Sequence, residues 1–84
     1  MSDLPNISIL APSILKVLLS GESKRFKDID DAVAVLLGIH EESLRQMRSG
    51  GRSEYAYRMS WARQKLKESG DLENLGKGIW KRIS

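Results

Sequence analysis

SGGRSEYAYRMSWARQKLKESG, residues 49–70, is the stretch that decides the fold. Two glycines lead into it, Ser53 is placed to cap a helix and Gly70 to end it, so a helix is predicted over residues 53–69. At about 100° per residue, its apolar side chains share one side and are predicted to be buried. They are Tyr55, Met59, Ala62 and Leu66. The opposite side carries Tyr57, Ser60, Trp61, Gln64 and Glu68, and the flanks carry Arg58, Arg63 and Lys65.

The next residues, DLENLGKGIWKRIS, predict a β-hairpin. Gly76 and Gly78 are suited to the positive φ angles of a tight turn. Strands are therefore expected near residues 72–74 and 79–83, with Lys77 at the tip.

The first half of the chain predicts three shorter helices. Apolar residues recur at helical spacing over residues 9–19 and 28–37, and an acidic start indicates a short helix over residues 41–47. Pro12 is expected in the first turn of the first helix, where proline is tolerated. The apolar face of the second helix is expected to be Ile29, Ala32, Val33, Leu36 and Leu37.

The glycines and polar residues between these helices mark their boundaries. Gly21 is expected to end the first helix and Gly38 the second, while SKRF, residues 23–26, is expected to be a connector. Short helices, a long cationic helix and a hairpin indicate a mainly α fold with a small β-hairpin, the winged helix-turn-helix.

The composition limits the class of protein. A chain of 84 residues supports one core, so we expect a single domain over residues 1–84. No cysteine is present, which excludes a disulfide framework and fits a reducing compartment. The longest apolar-leaning stretch, residues 7–19, is shorter than the roughly 20 residues of a membrane span. We therefore expect a soluble, cytoplasmic protein that does not bind membranes.

Charge is distributed unevenly along the chain. Residues 1–44 carry a net charge of −3, whereas residues 45–84 carry +6. This separation predicts one face for an anionic partner such as a phosphate backbone, although a solvated surface explains the charges equally well.

Motifs for catalysis or metal binding are weak. His40 is the only histidine and has no cysteine to pair with, while the Glu-x-Lys of residues 22–24 lacks the strand-borne aspartate of a nuclease. The acidic residues 28–31 lack the glycine of a calcium loop. The glycines before Arg52 make no Walker loop, but a helix N-terminus there suits an anion. We expect a non-catalytic protein without metal or cofactor.

The aromatic residues of the second half have two interpretations. Tyr57 and Trp61 are four residues apart and so lie one above the other on the helix. We expect Trp61 to pack against the wing, which is the hairpin predicted over residues 72–83, or against the first helix. Tyr57 is expected to face a ligand beside Arg58, and Trp80 to cover the core.

Residues 49–80 resemble the N-terminal winged-helix domain of Mrr-type restriction endonucleases. The similarity is densest in YRMSWARQKLKESGDLE and GKGIW, and it extends thinly over the first two helices. The matching positions are Ser49, Gly50, Arg58, Trp61, Ala62, Arg63, Leu66, Gly70, Leu72, Gly78 and Trp80. The resemblance implies DNA recognition for a restriction system that acts on modified, typically methylated, DNA, with cleavage by a separate nuclease domain.

The same resemblance carries expectations for individual residues. Arg58 and Arg63 are the polar matches that it suggests for phosphate contact. Ile83 follows Trp80 by three residues rather than two, which suggests a bulge in the last strand.

The leading hypothesis is a DNA-binding module whose partner is double-stranded DNA. The long helix would enter the major groove and the wing would contact phosphates. The residues expected to bind DNA are Arg48, Arg52, Ser53, Tyr57, Arg58, Ser60, Gln64, Lys65, Lys77 and Lys81.

The alternative hypothesis is a winged-helix domain for protein–protein interaction or dimerisation, with the exposed aromatic residues as anchors. A homodimer, or fusion to a nuclease domain, would then complete the functional unit.

Overall fold

The computed structural model describes residues 4–47, 51 and 53–83. Within this range the chain forms four helices and three strands. In chain order they are α1 (Ile7–Val17), β1 (Ser23–Arg25), α2 (Phe26–Leu37), α3 (Glu41–Leu44), α4 (Glu54–Glu68), β2 (Leu72–Gly76) and β3 (Ile79–Arg82).

The strands form an antiparallel sheet in the order β1-β3-β2. The hairpin of β2 and β3 confirms the prediction, and its turn holds Gly76, Lys77 and Gly78 at φ angles of 88°, 55° and 76°. The register shifts between Asn74 and Gly76. The bulge therefore lies in β2, and the expectation of a bulge in the last strand is wrong.

Strand β1 replaces the connector that the sequence predicted. Ser23 pairs with Lys81 and Arg25 with Ile79, both on β3. The backbone N–H of Phe26 then donates to the carbonyl of Gly78 at 2.7 Å. Three polar residues carry no strand pattern of their own, so the exposed edge of β3 determines their conformation. With this sheet the mainly α, winged-helix-like fold is confirmed.

Helix α1 begins earlier than predicted and ends earlier. Asn6 caps its N-terminus by accepting from the N–H of Ile9, and the helix ends at Val17. Pro12 consequently lies in the second turn rather than the first. The bond that Pro12 cannot donate would reach the carbonyl of Ser8, an exposed residue, where water can satisfy it.

The other short helices also differ in length from the prediction. Helix α2 begins at Phe26, two residues before the expected start, and Gly38 ends it at a φ angle of 62°. Leu36 of its expected apolar face is exposed, whereas Ala34, which was not assigned to that face, packs against the core. Helix α3 ends at Leu44 rather than at Met47.

The core lies where α1, α2, α4 and the hairpin meet. The predicted stripe of α4 is buried, and Trp80 covers this core as expected. The buried hydrophobic residues are Leu4, Leu10, Ala11, Ile14, Leu18, Ile29, Val33, Tyr55, Met59, Ala62, Leu66, Leu72 and Trp80. Burying this stripe turns the other side of α4 outward.

Candidate nucleic-acid interface

Helix α4 is closed at both ends by the predicted residues. The hydroxyl oxygen of Ser53 accepts from the N–H of Ala56 at 2.9 Å, and Gly70 follows the C-cap residue Ser69 at a φ angle of 86°. Ser53 was also predicted to bind DNA, and this cap already engages its hydroxyl oxygen.

The N-terminus of α4 is held close to the end of α3. Met47 forms a β-bridge with Ser53, and the N–H of Glu54 donates to the carbonyl of Gln46 at 2.8 Å. Arg48 and Arg52, both predicted to bind DNA, lie outside the described residues.

The centre of the outward face of α4 is an aromatic pair. The rings of Tyr57 and Trp61 meet edge to face, with centroids 6.4 Å apart and planes at 71°. Trp61 is 51% exposed, so the expectation that it packs against the wing or α1 is wrong. The wing packs against the opposite flank of α4, where the Trp80 ring lies 5.9 Å from the Arg63 guanidinium.

Arg63 belongs to the interior. Its Nη1 donates to Oδ1 of Asp30 at 2.5 Å, and the two side chains are only 8% and 12% exposed. Its guanidinium also lies over the Phe26 ring, 5.4 Å from the centroid. The interpretation of Arg63 as a phosphate contact, taken from the family resemblance, is therefore wrong.

Asp30 accepts hydrogen bonds from two residues of α4, Tyr55 and Arg63. The hydroxyl of Tyr55 donates to the Asp30 carbonyl at 2.6 Å. Burial raises the pKa of the Asp30 carboxyl from 3.8 to about 7, and the attraction of Arg63 opposes that rise. This cluster joins α2 to α4 and so fixes the position of α4.

Arg58 also has internal partners. Its Nε donates to Oε2 of Glu54 at 2.7 Å, and its Nη1 donates to the carbonyls of Leu4 and Pro5 at 2.9 and 3.2 Å. These bonds fasten the start of the described chain to α4. The guanidinium of Arg58 therefore already has three partners. Its contact with DNA stays a prediction.

Arg82 serves the fold in a similar way. Its Nη1 donates to the carbonyls of Leu15 and Leu18 at 2.6 and 2.8 Å, at the C-terminus of α1. Arginines 58, 63 and 82 thus satisfy internal acceptors, although they account for much of the positive charge of the second half of the sequence.

The remaining predicted residues lie on α4 and the wing. Ser60 is half-buried, and its hydroxyl donates to the Tyr57 carbonyl at 2.7 Å. Gln64 and Lys65 are exposed on α4, and Lys77 is exposed at the hairpin tip. Lys81 is half-buried on β3, in register with Ser23 and Glu73 on its two neighbouring strands.

Two further cations belong to the same surface but were missed by the sequence analysis. Lys67 is exposed on α4, and by the helical repeat it lies on one side of the aromatic pair while Lys65 lies on the other. Arg25 is exposed on β1, opposite Ile79. Helical spacing alone places Lys67 beside the aromatic pair, so it could have been predicted. The position of Arg25 depends on strand β1, which the sequence analysis did not predict.

A second surface differs from the face of α4 because it is apolar. A groove of about 280 Å³ runs between the ends of α1 and α2, lined by Ile9, Leu37 and His40 among others. A shallower groove of about 440 Å³ adjoins it at Gly38 and Ile39.

Two other kinds of site are absent from the described residues. No group of three or more histidine, cysteine or acidic side chains is arranged to hold a metal ion in residues 4–47, 51 and 53–83. Over the same ranges, no helix is both long enough and apolar enough to span a bilayer.

Comparison with known proteins gives one match. The family model described as the Mrr N-terminal domain matches residues 9–82. No curated protein and no solved structure matches the chain. The match covers every helix and strand except the first two residues of α1. The chain therefore belongs to the Mrr N-terminal domain family, which associates it with Mrr-like restriction systems.

Proposed function

We propose that residues 1–84 form a single DNA-binding domain, the non-catalytic DNA-recognition module of an Mrr-like restriction system in the cytoplasm. The observation that carries this proposal is the outward side of α4, where exposed lysines flank the partly buried Tyr57 and the half-exposed Trp61, directly before a hairpin with a lysine at its tip. In a winged helix, this is the helix that enters the major groove.

The shape and charge of this surface suit a duplex. Lys65 and Lys67 lie on either side of the outward face, so each can reach the phosphates of one strand when the face enters the groove. Lys77 extends the positive surface along the wing. Lys81 has a smaller role, because Glu73 lies opposite it on β2.

The residues predicted to contact DNA differ in whether their polar groups already have internal partners. Arg58, Ser53 and Ser60 already satisfy internal partners, so their contributions to DNA binding are expected to be small. Gln64 is exposed and presents both a donor and an acceptor to base edges. Arg48 and Arg52, which lie outside the described residues, remain proposed phosphate contacts.

The test is a titration of the 84-residue protein with a fluorescent duplex over a series of salt concentrations. Because each phosphate contact releases condensed counterions, the slope of log Kd against log salt reports the number of contacts. We expect Lys65→Gln, Lys67→Gln and Lys77→Gln each to reduce this slope by about 1. Lys16→Gln is the matched control, because Lys16 is an exposed lysine on α1. Binding that is independent of salt, or equally sensitive to all four substitutions, would contradict the proposal.

A second candidate function is dimerisation or protein docking, and the apolar grooves beside Gly38 favour it. Val35 next to them is 83% exposed, and Leu36 is also exposed. Large exposed apolar patches are typical of interaction sites. Sedimentation velocity distinguishes the two functions: a dimer that Val35→Glu dissociates, in a protein that does not bind DNA, would favour this candidate.

A further inference from the structure

The turn of the wing lies against the start of α2. The backbone N–H of Phe26 donates to the carbonyl of Gly78 at 2.7 Å. A Cβ atom on Gly78 would lie 2.8 Å from Cδ1 of the Phe26 ring, so this close approach requires a glycine. The hairpin tip is thereby held against the N-terminus of α2.

Three cations from three different elements meet at this junction. Arg25 of β1 and Lys27 of α2 directly precede and follow Phe26, and Lys77 of the hairpin turn directly precedes Gly78. All three are exposed, and none of them forms an ion pair with a carboxylate of the described residues. Arg25, Lys27 and Lys77 are called the tip cluster below.

The tip cluster borders the outward face of α4. The guanidinium of Arg63, on the flank of α4, lies 5.4 Å from the centroid of the Phe26 ring, so the start of α2 lies beside this flank. On α2, Ile29 is buried in the core and Asp30 is bonded to α4. By the helical repeat, Lys27 lies beyond Asp30 on the side away from the core. Lys27 therefore faces the same side of the molecule as the outward face of α4.

The backbone conformation of Lys77 is one that does not favour lysine. Its φ angle of 55° lies in the left-handed region, which glycine and asparagine adopt more readily than other residues. Cations held close together also repel one another when no anion lies between them. A negatively charged partner at the tip cluster explains both features.

We propose that the tip cluster binds the phosphate backbone of the same DNA duplex whose major groove receives α4. This inference rests on the proposed DNA-binding function, and it adds Arg25 and Lys27, which belong to the half of the sequence with a net negative charge. A backbone suits the cluster better than a single free phosphate, because its cations come from separate elements on an open surface. Such contacts fix the orientation of a protein on the duplex, so the cluster positions α4 in the groove.

A tethered cleavage reagent tests this contact directly. The sequence has no cysteine, so a single introduced cysteine can carry iron–EDTA, which cuts DNA strands close to its point of attachment. The reagent is attached to three variants at exposed positions: Lys27→Cys, Gln64→Cys on the outward face of α4, and Lys16→Cys on α1 as the control. We expect an end-labelled duplex to be cut by the first two conjugates and to remain intact with the third.

The salt dependence of binding gives a second readout. Arg25→Gln and Lys27→Gln are each expected to reduce the slope of log Kd against log salt by about 1, because each substitution removes one phosphate contact. Lys16→Gln should leave the slope unchanged. Both substituted cations are exposed, so the variants are expected to fold, and circular dichroism checks this.

The outcomes distinguish this inference from the function on which it rests. Cleavage by the Gln64→Cys conjugate alone, or unchanged slopes for Arg25→Gln and Lys27→Gln, would overturn the role of the tip cluster and leave the proposed DNA-binding function standing. No cleavage by either conjugate, together with no salt-dependent binding of the unsubstituted protein, would contradict both.

Discussion

Two sides of α4 both carry cations beside aromatic rings, but these residues have opposite roles on the two sides. On the inner flank the Arg63 guanidinium lies between Phe26 and Trp80 and is bonded to Asp30. On the outer face the half-exposed Trp61 meets the partly buried Tyr57 edge to face, with exposed lysines on either side. Cations and aromatic rings therefore do not by themselves indicate a binding surface. The elements packed against each flank determine whether these residues hold the fold together or face a ligand.

The largest expected effect comes from breaking the buried ion pair. Arg63→Met leaves the Asp30 carboxyl buried without its partner, which typically costs about 3–5 kcal/mol of unfolding free energy. Urea unfolding at about pH 8, above the Asp30 pKa of about 7, measures it. Arg45→Met is the matched control, because the side chains of Arg45 and its partner Glu41 are 73% and 83% exposed, and a change of less than about 1 kcal/mol is expected. Equal effects of the two substitutions would show that the Arg63 pair is solvated.

The two tryptophans sharpen the same comparison. Trp80→Ala removes a buried ring from the core and is expected to lower the unfolding free energy by about 3–4 kcal/mol. Trp61→Ala removes a half-exposed ring, so a loss of about 1 kcal/mol or less is expected. Thermal unfolding followed by circular dichroism checks both. A loss for Trp61→Ala as large as that for Trp80→Ala would mean that Trp61 is part of the core after all.

An effect of pH is expected from the same buried carboxyl. The pKa of Asp30 is raised to about 7 in the folded protein from 3.8, chiefly by burial. Between these values the folded state retains a proton that the unfolded state has released, so the contribution of Asp30 to stability is lost as pH rises from about 4 to 7. Urea unfolding across this range should show a steeper decline for the wild type than for Asp30→Asn. Parallel profiles would mean that Arg63 keeps the carboxyl ionised throughout.

Local signals explain which parts of the fold could be predicted. The Ser53 cap, the α4 stripe and the glycines of the hairpin act over a few residues, and each is confirmed. Strand β1 was missed because its pairing partner lies more than 50 residues away on β3. Its three polar residues have no periodicity of their own.

The same distinction applies to the candidate site. The partner that buries Arg63 is Asp30 on α2, and no motif connects the two residues in the sequence. The exposure of Trp61 likewise depends on which flank of α4 the wing covers. Helical spacing placed Trp61 away from the buried stripe, and tertiary packing left it uncovered. Helical spacing allows the pair of Arg58 with Glu54, four residues earlier, to be anticipated. Arg58 was assigned to a ligand because its other partners, the carbonyls of Leu4 and Pro5, lie more than 50 residues away in the sequence.

The most direct test of the assignment is an amide NMR titration of the isotope-labelled protein with a duplex. If the outer face of α4 and the wing form the DNA surface, chemical shifts should change at Tyr57, Trp61, Gln64, Lys67 and Lys77. They should stay unchanged at Val35, Ile39 and Leu44, beside the apolar grooves. Changes centred on the grooves, or none on α4 and the wing, would contradict the account.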